Sequence, residues 1–120
     1  MKLVLVVDDV RTDRELIGRI VSSLGYQVAF AENGREAVEK AQELSPDLIL
    51  MDVVMPVQDG FAACRKIKRH PQTSDIPVVL VSTKPGSTDQ LWGKRQGAEA
   101  YLAKPFEREE LTDLVRRYAA

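Results

Sequence analysis

A chain of 120 residues, 44% of them hydrophobic, is enough for one compact domain with a usable core. Its 17 basic and 18 acidic residues leave a net charge of -1, which argues against nucleic acid or an anionic membrane as the main partner. No apolar run approaches the roughly 20 residues that span a bilayer, and the single cysteine, Cys64, has no partner for an internal disulfide.

The first apolar run, Leu3-Val4-Leu5-Val6-Val7, is closed by Asp8-Asp9 and reads as a buried parallel strand. The aspartate pair arrives too early for a signal peptide, and no small-residue cleavage site follows, so a cytoplasmic soluble domain is expected. Residues 13–24 carry helical spacing at Leu16, Ile17, Ile20, Val21 and Leu24, with Thr12 or Asp13 as the cap and Gly25 as the stop. Residues 27–30 form a short second strand, Asn33-Gly34 a turn, and residues 35–44 a helix with Ala37, Val38, Ala41 and Leu44 on one face. Ser45-Pro46 ends it. A third strand spans 47–52 around Leu48-Ile49-Leu50-Met51 and ends on Asp52. Pro56 and Gly60 bracket a loop, and a helix follows to about Arg69. Pro71 and Pro77 confine the next connection, and the fourth strand, 78–82, ends on Ser82. Helical spacing resumes to Gln96, Gly97 stops it, and 100–103 is a fifth strand followed by Lys104. The last helix, 108–118, is expected to bury Leu111, Leu114 and Val115.

Five βα units predict an α/β fold with one parallel sheet and, through right-handed crossovers, helices on both faces. No repeat, linker or second domain is indicated, so residues 1–120 are expected to carry any output on their own surface.

Ligands of such sheets bind beyond the carboxyl ends of the strands. Asp8, Asp9 and Asp52 would crowd there, and carboxylates that close repel until one is protonated or a cation binds. A hard divalent ion such as magnesium (Mg2+) resolves the conflict. Lys104 adds a second positive charge, and Ser82 a hydroxyl. A metal, a lysine and a hydroxyl without a histidine or cysteine nucleophile suit phosphoryl transfer, with a carboxylate as acceptor.

These residues resemble the receiver domains of two-component response regulators. The resemblance covers the whole chain: Asp8-Asp9, Asp52, the loop Met55-Pro56-Val57-Gln58-Asp59-Gly60, Ser82 and Lys104-Pro105-Phe106, each in its expected βα unit. It implies a doubly wound, flavodoxin-like (βα)5 fold with strand order 2-1-3-4-5. It further implies Asp52 as the phosphoacceptor, and magnesium held by Asp9, Asp52 and the backbone carbonyl of Val54, with Asp8 acting through water. Lys104 would pair with the phosphoryl group, Ser82 would swing toward it, and Tyr101 would rotate inward behind it. The donor would be a phosphohistidine on a sensor histidine kinase. A narrower likeness, in Val81-Ser82-Thr83-Lys84 and in residues 88–98 around Trp92-Gly93-Lys94-Arg95-Gln96-Gly97-Ala98, is to PilH-type regulators of chemosensory systems that control type IV pili and twitching motility.

Two features depart from the general receiver pattern. Thr83 stands where many receivers have a small residue, and Val54 and Lys84 lie two beyond Asp52 and Ser82, where water's access to an acyl phosphate is shaped. Val54 would slow hydrolysis by crowding water; Lys84 would instead favour an anionic donor. Pro85 fixes φ in the loop that must move on switching. Val54 also bears on enzyme readings. Aspartate-nucleophile phosphatases carry an acid-base carboxylate at that place, so turnover of external substrates lacks its proton donor. A flavin or nucleotide site would need a phosphate-cradling first loop, which Asp8-Asp9 disfavours without metal.

Several residues read as structure. Cys64 is in phase with Phe61 and Ile67 as a small core thiol. His70 ends a helix, where it favours the dipole. Residues 65–69, Arg-Lys-Ile-Lys-Arg, read as a solvated helix face. Trp92 has two readings, partial burial or an exposed anchor for a partner; its neighbour Leu91 is the expected buried position. Gly93 in mid-helix implies close packing or mobility. The helix of Trp92, the strand of Tyr101 and the last helix form the expected output face for a downstream protein. A phosphate sink that only drains the kinase is the alternative to such a signal carrier.

Overall fold

A computed structural model describes residues 2–55, 58–83 and 86–119. Pro56, Val57, Lys84 and Pro85, with the expectations attached to them, lie outside the described residues.

Five apolar runs form five strands: β1 (Leu3–Val7), β2 (Gln27–Ala31), β3 (Leu48–Met51), β4 (Val78–Ser82) and β5 (Ala100–Ala103). All pair in parallel, in the order β2-β1-β3-β4-β5. Every residue of β3 and β4 is buried. Strands covered on both faces need no polar alternation, which is why they read as unbroken apolar runs.

The pleat divides the core in two. Leu5, Val7, Ile49, Met51, Val78 and Leu80 face α2 (Gly34–Leu44) and α3 (Gly60–Arg69) through Ala37, Ala41, Ala63, Cys64 and Ile67. Val4, Val6, Leu48, Leu50, Val79 and Val81 face α1 (Arg11–Ser23) and α5 (Arg108–Tyr118) through Ile17, Ile20, Val21, Leu111 and Val115. Leu114 is only partly buried against this second cluster. The fourth helix, α4 (Ser87–Arg95), packs on the α2/α3 side beside β5.

Local details differ from expectation in several places. Helix α1 begins at Arg11 behind Val10, with no side-chain cap; Thr12 and Asp13 are already helical, and the Val10 N–H donates to Asp8 Oδ1 at 2.9 Å. Asn33 is more than a turn former: its Oδ1 accepts the Glu36 N–H at 2.8 Å and caps α2. Leu16 and Leu44 keep helical phase but sit at the solvent edges of their stripes.

Leu91 is the largest departure. It is 52% exposed and Trp92 46%, so the pair forms a surface patch. The buried position is Gly93, where an added Cβ would lie 3.0 Å from Leu80 Cδ1, 3.4 Å from Tyr101 Cδ2 and 3.5 Å from Phe61 Cε1. Those three side chains fill the space that a large residue of α4 would have taken.

Cys64 is buried, as expected, with its Sγ 3.5 Å from the Gln96 carbonyl. Burial, aided by Glu99 and opposed by Lys68, pushes its thiol up to about 12. His70 caps the end of α3, and its Nδ1 accepts the Gln72 N–H at 3.1 Å. The Gly25 and Gly97 stops take φ of +94° and +98°, the left-handed region that glycine adopts without penalty. No helix among the described residues is long and apolar enough to cross a membrane.

Candidate functional site

Register places the acidic residues. Val7 pairs with Met51, so Asp8 and Asp52 leave adjacent strands side by side. The Asp52 N–H donates to Val7 O at 2.9 Å and the Asp8 N–H to Ala31 O at 3.1 Å, extending the ladders by one residue. Ser82 pairs with Ala103, and the Lys104 N–H donates to Ser82 O at 2.8 Å. Four strand ends therefore bring Asp8, Asp9, Asp52, Ser82 and Lys104 to one edge.

Asp8 and Asp52 are buried, whereas Asp9 is exposed. The Asp8 carboxylate is fixed at both oxygens: Oδ1 accepts the Val10 N–H and Oδ2 accepts Lys104 Nζ at 2.7 Å. Asp52 Oδ1 accepts the Val53 N–H at 2.7 Å, and its Oδ2 lies 3.8 Å from Lys104 Nζ. Burial first pushes the Asp52 carboxyl above its ordinary range. The charges of Asp8 and Asp9 add to this, while Lys104 and the Val53 N–H oppose it. Burial alone would lower the Lys104 ammonium, but the Asp8 bond, the Asp52 charge and Asp13 outweigh it and the group is raised.

One carboxylate oxygen from each of Asp8, Asp9 and Asp52 lies within 4.8 Å of the others. Three anionic oxygens at that spacing, two on buried residues, fit a hard divalent cation that retains some of its waters. Val54 follows on the same loop and is 52% exposed. The loop is held by Gly60, whose N–H donates to Val53 O at 2.8 Å and whose missing Cβ would fall 2.1 Å from Asp52 O. Asp59 caps α3 through a 2.8 Å bond from the Ala62 N–H.

Behind the site, Ser82 is fully buried and shares a hydrogen bond with the half-buried Tyr101. Burial raises the Tyr101 hydroxyl and the Asp89 and Asp52 charges add to this, while the Ser82 bond opposes it. The Tyr101 ring packs over Gly93, so one contact chain runs from the site to α4. Trp92, the expected anchor, is exposed on that helix, outside the carboxylate cluster.

Two further residues contact the site, neither of which the sequence assigns to it. Asp13 Oδ2 accepts Lys104 Nζ at 3.1 Å, and Arg14 donates through Nη1 to the Asp8 carbonyl at 2.8 Å. Their place in the first turn after the acidic pair was a usable signal, since that turn rises from the same sheet edge. A groove of about 370 Å³ opens beside them, lined by Asp13, Leu16, Thr83, Lys104 and Phe106 among others.

The chain is 42% identical over 120 residues to protein PilH of Pseudomonas aeruginosa, covering all of this chain and 99% of PilH. Among solved structures it is similar to the chemotaxis protein CheY4 of Vibrio cholerae, with a TM-score of 0.91, 35% identity and 98% of each chain covered. It is also similar to the receiver domain of sensor histidine kinase PA1611 from Pseudomonas aeruginosa PAO1, which has a magnesium ion coordinated in its active site cleft (TM-score 0.91, 32% identity, 98% of this chain and 97% of that one). The response regulator receiver domain model matches residues 4–116, and with the parallel 2-1-3-4-5 sheet and the acidic edge in place, the chain belongs to that family.

Proposed function

We propose that Asp52 accepts a phosphoryl group from a phosphohistidine of a chemosensory-type sensor histidine kinase, and that the modified domain changes its affinity for a downstream protein. A carboxylate oxygen of Asp52 attacks phosphorus, the new O–P bond forms as the P–N bond breaks, and the histidine ring leaves with the electron pair. The observation that carries this reading is the placing of the buried Asp52 carboxylate between two further carboxylates and a partly buried ammonium group.

Asp8, Asp9, Asp52 and the Val54 carbonyl would hold magnesium, with Asp8 acting through water. When bound, the ion supplies positive charge that neutralises the phosphoryl oxygens. Lys104 balances the remaining charge, and Ser82 donates a hydrogen bond to a phosphoryl oxygen. Asp52 is raised toward protonation by its surroundings, so a cation at the site also keeps it ionised and nucleophilic.

Residues 1–120 act in this reading as a cytoplasmic receiver whose own surface is the output. It assists only its own phosphorylation and dephosphorylation: Val54, exposed and apolar, offers no acid-base group for turnover of external substrates. The exposed Leu91-Trp92 pair favours a signal carrier over a phosphate sink, because a sink needs no apolar patch on its output face. The likeness to PilH supports a place in a chemosensory pathway that controls type IV pili and twitching motility.

The test is incubation with magnesium and a small-molecule phosphodonor, followed by intact mass. One added phosphoryl group is expected in the wild type and none in Asp52→Asn. An unchanged wild-type mass, with no analogue-trapped phosphate, would overturn the proposal. A phosphorylation-dependent pull-down that captures only the kinase would favour the sink.

A further inference from the structure

Lys104 is shared unequally among three carboxylates. Its Nζ is 2.7 Å from Asp8, 3.1 Å from Asp13 and 3.8 Å from Asp52. The first two are hydrogen bonds and the third is beyond that range. An ammonium group has three N–H donors, and two of them point to Asp8 and Asp13. Lys104 therefore faces Asp52 without being bonded to it.

The two bonded partners differ in what release would cost. The Asp8 side chain is 1% exposed, so losing Lys104 would leave a buried, unpaired anion. The Asp13 side chain is 43% exposed and lines the groove beside the site, so water replaces the lysine at little cost. Asp13 lies in the first turn of α1, yet its carboxylate reaches Lys104 across 91 residues of sequence.

We infer that Asp13 is a positioning residue that tethers Lys104 away from Asp52 and is the contact surrendered when Lys104 closes on the phosphoryl group. The inference rests on the proposed role of Asp52 and adds a restraint on it. Asp8 is the fixed pivot of the ammonium group, and Asp13 is its resting-state catch. Asp13 and Lys104 both line the groove beside the site, so the catch lies open to solvent there.

The experiment compares the wild-type chain with Asp13→Ala and Asp13→Glu. In metal-free crystals of Asp13→Ala, Lys104 Nζ should move from 3.8 Å to hydrogen-bond distance of Asp52, about 2.8 Å. At saturating magnesium, phosphoramidate should phosphorylate Asp13→Ala about three- to fivefold faster than wild type, the scale of a half-exposed ion pair. Asp13→Glu should restore the wild-type rate. In a Lys104→Met background the Asp13→Ala change should alter the rate by less than about twofold, since the catch then holds nothing. An unmoved Lys104 in Asp13→Ala overturns the inference, and so does an equal acceleration with Lys104 absent. A wild type that accepts no phosphoryl group would sink the role of Asp52 instead, and the crystallographic distance would still decide on the tether.

Discussion

Lys104 and Asp8 lie 96 residues apart in the chain and 2.7 Å apart in space, with side chains 11% and 1% exposed. The pair joins the end of β5 to the end of β1, across the two strands between them. Buried ion pairs add little over an apolar core, but removing one partner strands the other. This makes the pair a sensitive probe of what else can neutralise Asp8.

Lys104→Met should lower stability in metal-free buffer by about 3 kcal/mol, because Asp8 keeps a buried charge without its cation. Magnesium should return part of that loss, and return more to the variant than to wild type. Urea unfolding with and without the ion measures both. A variant to which magnesium gives nothing would show that the ion does not neutralise Asp8.

Asp52 sets a pH dependence of unusual sign for a carboxylate. Its folded pKa is raised above the ordinary value of 3.8, by burial first. Between the unfolded and folded values the native state holds the proton and the unfolded state does not, so this group's contribution to stability falls as pH rises through that window. Above the folded pKa the penalty is fully present. Asp52→Asn should therefore raise the melting temperature at pH 7 in chelator, by several degrees on a scale of about 4 °C per kcal/mol, and the gain should vanish in acid. Equal gains at both pH values would contradict the assignment.

Asp9 is exposed, unlike Asp8 and Asp52, so its role can be separated from folding. Asp9→Asn should weaken magnesium binding about tenfold or more while changing metal-free stability by less than about 0.5 kcal/mol. Titration calorimetry and urea unfolding on the same preparation give the two numbers.

Gly60 controls the acceptor loop through backbone contact. A Cβ there would meet Asp52 O at 2.1 Å and Val53 Cα at 2.8 Å, and neither atom is the end of a flexible side chain. Gly60→Ala should cost about 2–4 kcal/mol and slow phosphorylation together with it. At Gly93 the neighbours are side-chain ends, so Ala there should be near neutral, with about 1 kcal/mol of helix propensity offsetting the crowding. Gly93→Val, which adds two methyl groups, should lose about 1–3 kcal/mol. Thermal unfolding of the three variants checks the ranking.

What the sequence made legible follows the range of the forces involved. Strands β4 and β5 and helix α5 match the sequence reading residue for residue, because apolar runs and stops are local signals. Bringing Asp8, Asp9, Asp52, Ser82 and Lys104 to one edge needed only that the strands be parallel, which their unbroken apolar character implied. Local sequence offers Asp13, like Thr12, only as a helix cap, because an acidic residue opening a helix usually serves its own backbone; its partner is 91 residues away. Helical spacing alone points Leu91 inward, as the large apolar side chain of α4. Tyr101, Leu80 and Phe61 come from three other elements, and their combined volume at Gly93 has no local signature.

Among the described residues of α4 only Gly93 is buried. The helix is seated by an indentation, with no apolar stripe to anchor it. A shift along that indentation exposes almost no new apolar area, so hydrophobic burial does little to oppose it. The apolar clusters on the two faces of the sheet are built by the strands and the other four helices, and α4 adds only its Gly93 contact to them. The surface that displays Leu91 and Trp92 is thus joined to the core at one backbone position, so substitutions on it leave the packing beneath untouched.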